Sequence, residues 1–218
     1  MNEILQVGET ITLKDSYTGN INKAISDGNY VYFAGENNGL SIISKYNLKG
    51  ELVWQKSFDY GFNKGIHSIE ITEDKNLLFT AGSLNGSSII HKLDLNGNLN
   101  WTKETEGAIA DIEEVNNIIY ISGGTGVINS FNLSKNGFIS ALNSDYGNQL
   151  WTSEYHNSEA AFFEDIEIFN NAIYAIGTRY GKQDYDWGIA GKVDLDGNEI
   201  WWNSTKNEGW NNLQNGAI

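Results

Sequence analysis

The chain has 218 residues and a formal net charge of −14, from 28 acidic and 14 basic side chains, with neither Cys nor Pro. A field of that sign repels nucleic acid and anionic lipid, and a single Arg, Arg179, leaves almost no capacity for bidentate phosphate recognition. The absence of thiols excludes a disulfide framework and any thiolate metal site.

No apolar run approaches the ~18 residues of a membrane span, so no membrane insertion is expected. Residues 1–15 lack the charged and apolar regions of a secretory leader. The chain opens on Val7-Gly8-Glu-Thr-Ile-Thr-Leu-Lys14, which aligns with Lys49-Gly50-Glu-Leu-Val-Trp-Gln-Lys56, with Thr12 in place of Trp. That predicts a partial strand over 4–16. From there the chain repeats itself. Gly50-Glu-Leu-Val-Trp54, Gly97-Asn-Leu-Asn-Trp101, Gly147-Asn-Gln-Leu-Trp151 and Gly197-Asn-Glu-Ile-Trp201 place a Trp four residues after a Gly. The tryptophans are 47, 50 and 50 residues apart, a period that marks a repeat architecture.

Each repeat reads as four strands. The first alternates apolar and polar residues, as in Ile66-His-Ser-Ile-Glu-Ile71, Ile109-Ala-Asp-Ile-Glu113 and Phe163-Glu-Asp-Ile-Glu-Ile168. The second follows an Asn turn and ends in Gly: Asn29 to Gly35, Asn76 to Gly82, Asn117 to Gly123 and Asn171 to Gly177. The third covers Ser41–Tyr46, Ser88–Leu93, Phe138–Leu142 and Gly188–Val193. The fourth starts after the turn Gly and contains the Trp. With no Pro, the 24 Gly and 29 Asn must carry the turns, which favours hairpins needing positive φ. Turns such as Asp94-Leu-Asn-Gly97 combine an Asx acceptor with a left-handed Gly.

Four antiparallel strands per ~50 residues, without helical periodicity, predict an all-β fold, a β-propeller of four-stranded blades. The repeats are expected at about 20–65, 66–107, 108–159 and 160–209, with a further partial strand at 210–218. Three closures are open: four blades clasped by the end strands, a segment of a longer propeller, or a homo-oligomer in which a second copy completes the ring.

Ala141-Leu-Asn-Ser-Asp-Tyr-Gly-Asn-Gln-Leu-Trp151 resembles the tryptophan-docking repeat of quinoprotein-type propellers, Ala-Leu-Asp-x-x-Thr-Gly-Lys-x-x-Trp. Asp184 to Trp201 resembles the propeller repeats of large bacterial surface and secreted proteins, Asp-x-Trp-x-x-Lys-x-Asp-x-x-Gly-Asn-x-x-Trp. The likeness covers about residues 20–209 and implies a propeller in a secreted or cell-surface protein. Many functions sit on that fold.

The regularity of Gly50, Trp54, Gly97, Trp101, Gly147, Trp151, Gly197 and Trp201 predicts a structural role, each Trp packing between neighbouring blades with its indole N–H bonded to adjacent backbone. First-strand acids Glu70, Asp111, Glu113, Asp165 and Glu167 are expected on the channel wall, as a solvated surface or as an acidic ring for a cation. Asp194-Leu-Asp-Gly-Asn-Glu199 begins like a calcium loop, but its Gly falls too early and the matching turns carry Lys or Asn, so a plain turn is expected. His67, His91 and His156 share no ligand spacing, and Gly123-Gly-Thr-Gly126 lacks the Lys and helix of a phosphate loop.

The intervals from strand-two Gly to Trp are 19, 19, 28 and 24 residues, so the third and fourth repeats carry insertions near 124–137 and 178–187. The second holds Arg179, Tyr180, Asp184, Tyr185, Asp186 and Trp187, a mixture suited to a ligand-binding loop. The expectation is a non-enzymatic binding module for a protein or carbohydrate, without cofactor or metal. The alternatives are a propeller-scaffold enzyme, with paired carboxylates for glycoside hydrolysis or a quinone cofactor, and a self-assembling propeller fragment.

Overall fold

The structure is a computed structural model describing residues 19–60, 65–82, 87–125, 136–155, 160–180 and 186–204. The partial strands expected at 4–16 and 210–218, and residues 126–135 of the third-repeat insertion, lie outside the described residues. The first sheet comprises β1 (Asn20–Ser26), β2 (Tyr30–Asn37), β3 (Leu40–Asn47) and β4 (Leu52–Phe58). The second comprises β5 (Ile66–Ile71), β6 (Asn76–Gly82), β7 (Ser87–Asp94) and β8 (Leu99–Glu106). The third comprises β9 (Ala108–Val115), β10 (Ile118–Gly124), β11 (Gly137–Asn143) and β12 (Gln149–Tyr155). The fourth comprises β13 (Ala160–Phe169), β14 (Ala172–Tyr180), β15 (Asp186–Asp194) and β16 (Glu199–Ser204). Consecutive strands pair antiparallel within each sheet, and no helix occurs among the described residues. The architecture is that of a β-propeller, one sheet to a blade, with β1, β5, β9 and β13 packed successively along the inner side.

Local chemistry accounts for the strand ends. Asn116-Asn117 and Asn170-Asn171 hold positive φ at both positions, at 54° and 62° and at 50° and 57°. Two left-handed residues in a two-residue connection match the twist of the paired strands, and Asn tolerates that conformation. The β3–β4 and equivalent turns are set by Asx side chains. Asp94 Oδ1 accepts the N–H groups of Asn96 and Asn98 at 2.8 Å, and Asp194 Oδ1 those of Asp196 and Asn198 at 3.0 and 2.8 Å. The stretch at Asp194 is therefore a plain Asx turn of the same build as its counterpart at Asp94.

The Gly ending each strand-two run has a specific cause. Every inner strand carries a bulge, at Asn22, His67, Ala110 and Glu164, opposite the end of strand two. The bulge presses a carbonyl onto the neighbouring rung. A Cβ at Gly35, Gly123 or Gly177 would lie 1.9–2.0 Å from the carbonyl oxygen of Asn20, Ala108 or Phe162. The second blade departs from this alignment by one residue. Ala81 pairs with Ile66 on the equivalent rung, and Gly82 falls one step later, beneath the His67 ring.

Among the described residues the core forms three layers, each shared by two adjacent blades. Tyr32, Ile43, Ile66 and Phe79 join the first and second blades. Leu78, Ile90, Ile112 and Phe138 join the second and third. Tyr120, Ile139, Phe163 and Ile173 join the third and fourth. Each fully buried large side chain contributes about 2–3 kcal/mol, so the blades stabilise one another rather than themselves.

The repeated tryptophans sit over these layers. Indole N–H groups of Trp54, Trp101 and Trp151 donate to the carbonyls of Leu95, Ser144 and Leu195, each at 3.1 Å. All three acceptors lie in the turn of the following blade. The ring also covers that turn's Gly: a Cβ on Gly97, Gly147 or Gly197 would come within 3.4, 3.0 or 2.6 Å of Trp54, Trp101 or Trp151. The Trp of one repeat thus meets the Gly of the next.

A comparison of two glycines checks this contact. Gly39 has φ +79° and open space around a Cβ, whereas Gly197 has φ +84° and the Trp151 ring at 2.6 Å. Gly39→Ala should cost about 1 kcal/mol, the left-handed penalty alone. Gly197→Ala should cost roughly 1–3 kcal/mol more, through overpacking against Trp151. Urea denaturation measures both; equal losses would refute the contact.

Candidate functional site

The inner strands place the acidic residues first. Counting from the bulges, Lys23, Ser68, Asp111 and Asp165 share one level, and Ile25, Glu70, Glu113 and Glu167 the next. Lys23 and Ser68 interrupt the first level and Ile25 the second, so the described carboxyl groups form an arc and not an acidic ring. Their oxygens are largely engaged between blades. Asp111 accepts from Ser68 Oγ at 2.7 Å on one side and from Ile166 N at 3.3 Å on the other. Glu113 accepts from Ile168 N at 3.1 Å, and Glu114 accepts from Glu73 N at 3.0 Å. Glu70 is bonded by the Glu114 backbone N–H, while its Oε2 is buried without a partner.

Packing these acids together favours their neutral forms. Burial, with Glu113 nearby, pushes Glu70 up to about 8. Burial and Glu167 push Glu113 up to about 7. Burial and a hydrogen bond shared with Asp111 push Asp165 up to about 6, against the opposing charge of Lys23. No group of three or more His, Asp or Glu among the described residues is arranged to hold a metal ion. His91 is buried against Phe58, Tyr60 and Phe79, with the Tyr60 hydroxyl 2.5 Å from Nε2, and burial pushes it down to about 4. His156 lies outside the described residues.

The fourth-repeat insertion is partly ladder. Strand β14 continues past Gly177, pairing Thr178 with Gly188, Arg179 with Trp187 and Tyr180 with Asp186. Added residues can extend a hairpin in register because each new rung pairs its own backbone groups. Arg179 is buried, 7% exposed, and donates to Ser204 Oγ at 3.4 Å. Asp184 and Tyr185 lie outside the described residues, and Asp186 and Trp187 begin strand β15.

A site that the sequence reading did not single out lies between the second and third blades. It is a groove of about 390 Å³, walled by Lys103, Glu104, Thr105 and Glu106 of β8 and by Ser140, Gln149, Thr152 and Glu154 of β11 and β12. Ile121, Phe138 and Leu142 form its apolar floor. Its origin is a missing wedge. At the first junction Phe58, four residues after Trp54, packs on Phe79 and His91 of the second blade at 5.3 and 5.4 Å between ring centroids. At the third junction Tyr155, four residues after Trp151, packs on Phe163 and Trp202 of the fourth blade at 6.4 and 5.7 Å. The corresponding residue at the middle junction is Thr105, whose hydroxyl turns to Ser88 O at 3.1 Å.

The facing positions shrink as well. Where the second blade has His91 and the fourth has Trp202 lying over Gly191, the third has Ser140 and Thr152, whose hydroxyls bond each other at 2.7 Å. Three small polar residues thus replace aromatic filling. The signal was present in the sequence as Phe58, Thr105 and Tyr155 at one offset from Trp, but its meaning depends on which blade each residue faces.

No family model and no curated protein matches the chain. Solved structures do. A Bacteroides caccae protein of unknown function matches at TM-score 0.57 and 15% identity, over 88% of this chain and 69% of that one. A europium-containing methanol dehydrogenase matches at TM-score 0.64 and 12% identity, over 88% of this chain and 43% of that one. The quinohemoprotein alcohol dehydrogenase of Comamonas testosteroni matches at TM-score 0.61 and 12% identity, over 85% of this chain and 35% of that one. The chain therefore spans less than half the length of either dehydrogenase. Identities this low carry the propeller fold alone.

The inner carboxyl groups generate a pH prediction. Glu70, Glu113 and Asp165 hold protons in the folded chain at pH values where the unfolded chain has released them. Stability therefore falls as pH rises from the unfolded values near 4 towards about 8. The urea midpoint should be higher near pH 5 than near pH 8, and Glu70→Gln should flatten the upper part of the profile. A midpoint that rises between those values would contradict the assignment. At the acid end, burial raises Asp74, but bonds from Thr72, Asn76 and Lys92 outweigh it and hold the carboxyl at about 2. Its contribution is lost as pH falls from the unfolded value through about 2.

Proposed function

We propose that the chain is a non-enzymatic binding module of a bacterial extracellular or surface protein. Its groove between the second and third blades takes an extended, basic segment of a partner protein. The carrying observation is the replacement of an aromatic wedge by Thr105, Ser140 and Thr152 at this junction, which leaves a polar-walled groove over an apolar floor. The other two described junctions are filled at the same place by Phe58 and Tyr155.

Charge supports a basic ligand. Glu104, Glu106 and Glu154 outnumber Lys103 on the walls, and the whole chain carries −14. A field of that sign draws a cationic segment in and repels an anionic one. The non-catalytic reading is supported by the inner carboxyl groups, whose contacts run to backbone amides of neighbouring blades. A carbohydrate is the second reading, favoured by the Ser140–Thr152 hydroxyl pair and Gln149 on the wall.

The test fills the groove with the wedge of its neighbours. A random peptide library displayed on phage is panned against the native chain and against Thr105→Phe. Peptides enriched in Lys and Arg should bind the native chain, and the filled variant should weaken them roughly tenfold or more. Glu106→Lys should weaken them in the same direction. Enrichment of no peptide, or equal binding to the filled variant, would overturn the reading. A glycan array that binds the native chain but not Thr105→Phe would move the ligand class to carbohydrate.

A further inference from the structure

The described junctions differ at one level of the sheets. Two residues before the rungs of Ala81, Gly123 and Gly177, Phe79 pairs with His91, Ile121 with Ser140 and Ala175 with Gly191. Rings fill this level at the first and third junctions. At the first, Phe58 lies against Phe79 and His91, and Tyr60 stacks on Phe58 and His91 at 6.0 and 5.3 Å between centroids. At the third, Gly191 leaves room for Trp202, which stacks on Phe163 at 5.1 Å and meets Tyr155 edge-on at 5.7 Å. At the middle junction Thr105 stands in the place of Phe58 and Tyr155, and Ser140 in the place of His91. Thr152, which pairs with Ser140 as Trp202 pairs with Gly191, stands in the place of Trp202.

The space left there suits an aromatic side chain. The groove holds about 390 Å³, within the roughly 300–1,000 Å³ of ligand sites. At its base Ile121, Phe138 and Leu142 keep only 2–3% of their surface exposed, so the base is a slot that a flat group enters edge-on. Phe138 offers such a group a ring to pack against, as Phe163 does for Trp202. The rim is acidic on β8, where Glu104 and Glu106 are exposed. Glu154 on the opposite wall already accepts from Asn136 Nδ2 at 2.8 Å.

We propose that the partner segment supplies the missing ring. An aromatic side chain, Tyr, Trp or Phe, enters between β8 and β12 at the level of Thr105, and basic residues on either side of it lie along Glu104 and Glu106. This inference rests on the reading of the groove as the site of a basic segment and adds the group that anchors it. The occupant repeats what the chain does at its own junctions, where Phe58 and Tyr155 wedge between blades. A ring seated in a preformed slot supplies affinity, while charges on the rim draw the segment in and set its register.

Two kinds of probe separate these contributions. p-Cresol, the tyrosine side chain without backbone or charge, is titrated to about 10 mM, above the millimolar range of so small a ligand. It should shift the methyl NMR signals of Ile121 and Leu142 in the native chain and leave them in place in Thr105→Phe. The capped peptide Gly-Lys-Tyr-Lys-Gly should bind the native chain roughly tenfold or more tightly than Gly-Lys-Ala-Lys-Gly, and Thr105→Phe should abolish the difference. Ser140→Gly with Thr152→Trp rebuilds the fourth blade's filling from the opposite wall and should act as Thr105→Phe does; whichever variant keeps the native circular dichroism spectrum carries the test. Equal binding of the two peptides, both weakened by the filled variant, overturns the aromatic anchor and leaves the basic groove standing. Methyl signals that p-cresol does not move also overturn the anchor. Shifts from p-cresol, with Gly-Ser-Tyr-Ser-Gly binding as tightly as the Lys peptide, support the anchor and instead remove the basic segment.

Discussion

The fold depends on one contact repeated at successive junctions: an indole from one blade closing on the turn of the next. A single hydrogen bond of this kind is worth only about 1 kcal/mol net. Its importance lies in what it fixes. The ring fits because the turn residue beneath it is Gly, and the bond lands because that turn presents a carbonyl at a set height. Blade spacing and tilt are thereby set together at each junction. Stability in such an array is a sum of neighbour terms, so a weak contact acquires weight through repetition.

The inner ends of the blades are joined by a different chemistry. Carboxyl groups of one inner strand accept amide protons of the adjoining blade, at Asp111, Glu113 and Glu114. Crowding these acids into a partly buried arc costs charge solvation, and burial raises Glu70, Glu113 and Asp165 well above ordinary carboxyl values. Each junction is therefore fastened by an indole at one place and by inner-strand polar contacts at another, with an apolar layer between. Aromatic wedges complete the filling at the first and third junctions. The middle junction keeps both fastenings and lacks the wedge, so it can stay open as a groove without releasing the blades.

This division separates scaffold from specificity. Regular positions, the Gly and the Trp above all, are occupied by the demands of neighbouring blades. The positions that vary decide what the surface can hold. Thr105 against Phe58 and Tyr155 creates the groove. The likeness to larger solved propellers extends to the fold and stops there.

The sequence by itself determined what a single repeat must do locally. The Gly-x-x-x-Trp period, the Asn-Asn hairpins and the Asx turns are legible because backbone conformation and strand alternation act within a few residues. The Gly at the end of strand two was legible as punctuation, but its cause, a bulged carbonyl at about 2 Å, was not. In the second blade the structural rung belongs to Ala81 and not to Gly82. Only the tertiary structure decided that each Trp covers the Gly of the following repeat, that Arg179 is buried in an extended ladder, and that Thr105 leaves a groove. The indole bonds join residues 41 to 44 positions apart, in different sheets. Period and propensity fix which side of a strand a residue occupies; which neighbour waits there is set by how the blades stack.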